Sequence, residues 1–118
     1  MGRMTVQKAP DKKVFSYGEA VAMLPEVRRL TEEAYQQVTA LVAHGGDSGA
    51  TPQEVEELVG DVIRDWAQAM AGKGLEIKGL WLVDWDNGSG YYCWKHPEEG
   101  LNYFHSYEEG FRGRMRIQ

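Results

Sequence analysis

The chain has 118 residues and a formal net charge of −5, with 42% hydrophobic and 26% charged residues. That length fits one domain with one modest core, and the composition excludes a disordered chain. Neither half is basic, which argues against a phosphate-binding surface for nucleic acid, and no run approaches the roughly 18 apolar residues of a membrane span.

Residues 1–13 carry charges without an apolar segment, so they read as a flexible leader rather than a secretory signal, and the cytoplasm is the expected location. A single α+β domain is expected over 14–118. Ser16-Tyr17-Gly18-Glu19 has the form of a capping box. Ala20, Met23, Leu24, Val27, Leu30, Ala34, Val38 and Leu41 follow at helical spacing. Pro25 interrupts this stripe, so the spacing predicts a short helix near 16–23 and a long one from Pro25 to Ala43. A Gly-rich loop follows. Thr51-Pro52-Gln53-Glu54 then opens a second helix, which Gly72-Lys73-Gly74 closes. The two helices form an antiparallel hairpin.

From Leu75 the period changes to two. Leu75 to Asp86 reads as one strand, Gly90 to Lys95 as a second and Leu101 to Ser106 as a third. Asn87-Gly88 suits a two-residue turn, which sets Asp86 opposite Ser89 and Asp84 opposite Tyr91. A five-residue loop over 96–100 sets Cys93 opposite Tyr103 and Tyr91 opposite His105. One sheet face then carries Trp81, Val83, Trp85, Tyr92, Trp94, Asn102 and Phe104 and packs on the helices. The other carries Leu80, Leu82, Asp84, Tyr91, Cys93, Lys95, Leu101, Tyr103 and His105, with Asp84, Tyr91 and His105 in one row.

That row supplies the candidate site. His105 is the residue that fits proton transfer or metal binding best, since imidazole does both, although a histidine beside a tyrosine is more often a hydrogen-bonded structural residue. Asp84 orients a histidine, ligates a metal, or accepts backbone hydrogen bonds at the strand end. Cys93 is the chain's single cysteine. It excludes an intrachain disulfide and reads as a small buried hydrophobe or a pocket wall. Asp84, Cys93, His105 and His96 supply usable ligand atoms, but not at the spacings of a zinc motif. No phosphate-binding or nucleophile-elbow motif occurs, and Glu98-Glu99 reads as solvated charge.

Several segments resemble a known family. They are Phe15 to Ala20 with Met23 to Val27, Gly79 to Trp85, Tyr92-Cys93-Trp94-Lys95, and Phe104-His105 followed by Gly110-Phe111-Arg112-Gly113-Arg114. Together, over about 14–117, they resemble the uncharacterised prokaryotic domain-of-unknown-function family 2203. The chain departs from that family's pattern at Asp86, where proline is frequent, and at Phe104, where tryptophan is commoner. The resemblance implies no activity. It places Asp84, Cys93, His105 and Arg114 within the family's motifs.

The expected architecture is α+β: a helical hairpin, with a short preceding helix, packed on a three-stranded antiparallel meander whose edge or end the C-terminal Gly-Phe-Arg-Gly-Arg segment closes. The expected function is a non-enzymatic binding or homo-oligomeric assembly module, meeting a second copy or another protein. The contact would use the semi-polar sheet face or surplus apolar helix surface such as Tyr35 and Val42. The alternative is a small-ligand or metal-binding protein, the enzyme case included, that uses the sheet face carrying Asp84, Cys93 and His105. Asp84, Tyr91, Cys93, His105 and Arg114 would bind the ligand, and Asp84 and His105 a metal. Neither a cofactor nor a substrate is assigned, and no nucleic-acid or membrane partner is expected.

Overall fold

A computed structural model describes residues 13–117 of the chain. Apart from Lys13, the leader expected at 1–13 lies outside the described residues. Two α-helices, α1 (Tyr17–His44) and α2 (Pro52–Gly72), precede five strands: β1 (Glu76–Gly79), β2 (Leu82–Asp86), β3 (Gly90–Lys95), β4 (Tyr103–Ser106) and β5 (Met115–Arg116). The strands form one antiparallel sheet in the order β1-β2-β3-β4-β5.

Both helix starts are built as the sequence predicts. The Ser16 hydroxyl accepts the Glu19 N–H at 3.1 Å while the Glu19 carboxylate accepts the Ser16 N–H at 2.8 Å. Thr51 and Glu54 repeat the arrangement at the head of α2, with Pro52 in the first turn. Gly74 closes α2 at φ +87°, a left-handed conformation that glycine adopts cheaply. The separate short helix is corrected: α1 runs unbroken through Pro25. Proline forfeits one intrahelical bond, a cost of about 3 kcal/mol in a helix interior. Pro25 and Val21, whose carbonyl it would have met, are both exposed, so water is available to that carbonyl. Leu24 and Val27 are buried on either side of the proline and anchor the helix across it.

The three-stranded meander is also corrected. The segment read as one long strand folds back at Leu80-Trp81, so that Ile77 pairs with Val83 and Glu76 with Asp84. Trp81 takes φ +62°, strained for a residue with a Cβ. It is held by edge-on contact with Trp66 at 4.9 Å and by the His96 N–H, which its carbonyl accepts at 3.0 Å. The C-terminal segment supplies the fifth strand, with Tyr103 opposite Arg116 and Phe104 opposite Met115.

The β2–β3 register differs from the expected one by two residues. Asp86 faces Tyr91 and Asp84 faces Cys93. The turn is longer because two side chains stabilise it: Asp86 Oδ1 accepts the Gly88 N–H at 2.9 Å and Asn87 Oδ1 accepts the Ser89 N–H at 2.8 Å. A two-residue shift keeps each side chain on its face and changes only its neighbours. The β3–β4 register is the expected one, with Tyr91 opposite His105 and Cys93 opposite Tyr103.

The core lies between the hairpin and one sheet face, where Trp81, Val83, Trp85 and Trp94 meet Leu24, Val27, Ala34, Trp66 and Met70. Leu101, assigned above to the opposite face, belongs to this core: it precedes β4, so strand alternation does not place it. The Trp66 indole N–H donates to Thr31 Oγ1 at 2.8 Å, satisfying two polar groups buried at the helix seam. Burial in α1 ends at Ala34, and in α2 only Trp66 and Met70 are buried. The far part of the hairpin, about 15 Å of α1 at 1.5 Å per residue, therefore runs on beyond the core.

Candidate functional site

Strand alternation turns Asp84, Cys93 and His105 to the sheet face away from the helices, one from each of three adjacent strands. Asp84 and Cys93 are fully buried and His105 is 2% exposed. His105 is diagonal to Asp84 across β3, and its ring spans that diagonal. Nε2 lies 2.9 Å from Asp84 Oδ2, while Nδ1 lies 2.8 Å from the Ser106 carbonyl oxygen. A carbonyl can only accept, so the network assigns a hydrogen to Nδ1. Nε2 and Oδ2 then need one further hydrogen, or a cation, between them. Asp84 Oδ1 is buried without a hydrogen-bond partner of ordinary geometry among the described residues.

Burial pushes the Asp84 carboxyl above the usual carboxylate range, against the opposing pull of His105, Cys93 and Lys78. Burial, with Asp84 alongside, pushes the Cys93 thiol up to about 12. Such a thiol is neutral at physiological pH and is not an activated nucleophile. Tyr91 stacks beside His105 with ring centroids 5.3 Å apart, and its hydroxyl donates to Glu76 Oε1 at 3.2 Å. Burial, then Glu76, raises the Tyr91 phenol as well.

Arg114 lies near enough to Cys93 to act on it electrostatically. Its guanidinium, however, forms a bidentate pair with Glu98 at 2.8 and 3.0 Å. Burial disfavours the charge on Arg114, but Glu98 outweighs that and its pKa is raised. The guanidinium also covers the Tyr103 ring at 4.0 Å and the Phe111 ring at 4.1 Å. An anion held by Arg114 would have to displace Glu98. His96 stands apart from the cluster, its Nε2 2.5 Å from Glu32 Oε1 and its ring 4.6 Å from Tyr35.

The sequence reading missed Lys78. Its ammonium sits 3.7 Å from Asp84 Oδ2, 3.7 Å from Glu76 Oε1 and 3.8 Å from the centre of the Tyr91 ring. Gly79, inside an otherwise regular strand, was the available signal that the chain folds back there and brings Lys78 and Glu76 over Asp84. Glu98 was missed as the partner of Arg114, and Asp86 as a buried acceptor of the Tyr107 hydroxyl at 2.7 Å.

A family model, described as an uncharacterised conserved protein family (DUF2203), matches residues 13–117. The chain belongs to that family. Comparisons with curated proteins and with solved structures gave no match. The DUF2203 assignment carries no activity with it, so the function rests on the geometry of this chain. No described helix is long and apolar enough to cross a membrane.

Proposed function

We propose that this protein is a non-enzymatic, cytoplasmic assembly module that pairs with a second copy of itself through the far half of its helical hairpin. One observation carries this reading. The apolar stripe that the sheet covers near Trp66 and Met70 runs on past the sheet as Leu41, Val42, Val55 and Val59. These side chains line an open cleft of about 930 Å³ between the helices. Val42 is 70% exposed there. All the described residues lining the cleft belong to the hairpin.

The opposite sheet face does not need a partner for cover, because Asp84, Asp86, Cys93 and His105 are already buried. Charge favours a second copy as the occupant. Residues 35–43 of α1 carry no charged side chain, whereas α2 carries Glu54, Glu56, Glu57 and Asp61 in its first half. Two copies of a chain with net charge −5 repel least where α1 is neutral. Isologous pairing of two such hairpins gives four-helix packing around the shared stripe.

Sedimentation velocity or native mass spectrometry tests this. A dimer is expected, and Val42→Glu combined with Val59→Glu is expected to convert it to a folded monomer. A wild-type monomer at tens of micromolar would sink the reading, as would a dimer indifferent to those two substitutions. A wild-type monomer would point to a different protein as the occupant of the cleft.

A further inference from the structure

The buried cluster on the sheet poses a separate question, independent of how the hairpins associate. Asp84, Cys93 and His105 each offer one ligand atom, and these atoms lie within 4.8 Å of one another. The three residues are at most 2% exposed, which leaves no room for an organic substrate but suits an ion. We propose that Asp84, Cys93 and His105 form a three-ligand site for a divalent transition-metal ion of the zinc class.

Three features support this, each independent of the others. First, Asp84 Oδ1 is fully buried and has no hydrogen-bond partner of ordinary geometry among the described residues, a costly state for a carboxylate oxygen that coordination would relieve. Second, His105 is oriented as metal-bound histidines are. The Ser106 carbonyl takes Nδ1–H at 2.8 Å, fixing the tautomer that turns the Nε2 lone pair toward Asp84. Third, a cation already lies against this carboxylate: Lys78 Nζ is 3.7 Å from Oδ2 and 38% exposed, so it can swing out.

The donor set selects the ion. One sulfur, one imidazole nitrogen and one carboxylate oxygen match zinc and its neighbours, whereas magnesium and calcium require mostly oxygen. An ion at about 2.0–2.3 Å from each donor holds them roughly 3.2–3.8 Å apart. Asp84 ligates through Oδ1, and the ion on Nε2 takes the place of the 2.9 Å Nε2–Oδ2 contact. The ion binds the thiolate, so the S–H bond of Cys93 breaks and an S–metal bond forms; the thiol proton and the hydrogen shared by His105 Nε2 and Asp84 Oδ2 both leave to solvent. Three protein ligands leave a fourth position for water.

Co²⁺ is the probe, added to the full-length protein after chelator treatment. Cys93 is the chain's only cysteine, so thiolate-to-cobalt charge transfer can arise only there. Near-ultraviolet charge-transfer absorption saturating at one Co²⁺ per chain, and abolished by Zn²⁺, is the expected result. Cys93→Ala is expected to remove the band, and Asp84→Asn to keep it while weakening binding at least about tenfold. Lys78→Met should tighten binding. A folded wild-type chain giving no charge-transfer band would overturn the proposal. So would Co²⁺ binding that Cys93→Ala leaves unchanged, because the ion would then sit on surface groups such as His44. If Cys93→Ala fails to fold, the wild-type spectrum alone decides.

Discussion

The two ends of the helical hairpin are made of the same kinds of residue and meet different fates. Near the sheet, Leu24, Val27, Trp66 and Met70 are buried under Val83, Trp85 and Trp94 of the strands and Trp81 of the turn between β1 and β2, and even the polar Thr31 is enclosed with a partner. At the far end, Leu41, Val42, Val55 and Val59 have the same helical spacing but, among the described residues, face an open cleft lined by the two helices and their connection. An amphipathic stripe therefore states that a partner surface is needed and not which one. In the near half the sheet answers the need, and in the far half we assign it to a second copy.

The sharpest test of this contrast concerns how tightly the sheet end is sealed. Cys93 is fully buried and its thiol is pushed up to about 12. A thiol reagent at neutral pH should label the chelator-treated native protein on the order of 10³-fold more slowly than the unfolded chain, by the ratio of thiolate fractions. Rapid labelling without unfolding would show that the face opens.

Trp66→Ala should lower stability to urea by about 3–5 kcal/mol, since it removes a buried ring and strands the Thr31 hydroxyl. Thr31→Val leaves the indole N–H unpaired at similar volume, at a cost of about 1–3 kcal/mol. At the open end, Thr51→Ala removes the cap of α2 and should cost about 1 kcal/mol. That loss should appear mainly as faster amide exchange in the first turns of α2 rather than as global unfolding. Val42→Glu should change monomer stability by no more than about 0.5 kcal/mol while shifting the dimer equilibrium. A large loss of monomer stability in Val42→Glu would mean that the far end is sealed within one chain, erasing the contrast.

The candidate site was legible only in outline. Strand alternation correctly put Asp84, Tyr91, Cys93 and His105 on the face away from the helices, and the five-residue loop correctly paired Tyr91 with His105. The Asp84 row was wrong by two residues, because the Asp86 and Asn87 side chains stabilise a longer turn than the Asn-Gly pair suggests. The direct neighbour of Asp84 is thus Cys93, and His105 reaches it diagonally. Lys78 and Glu76 could not be placed while residues 75–86 were read as a single strand. Folding back at Leu80-Trp81 is stabilised by Trp66 and His96, which are distant in sequence.

Short-range physics accounts for what the sequence determined: both capping boxes, the helical stripes, the period-two strands and the sorting of side chains between faces. Each depends on residues a few positions apart, whose geometry the backbone alone imposes. Tertiary structure decided the rest. It carried α1 through Pro25 by burying Leu24 and Val27 on either side. It split one strand into two, and it drew Asp84, Cys93 and His105 into a single buried cluster. These outcomes depend on contacts between distant segments, where packing outweighs the local preference of any one of them.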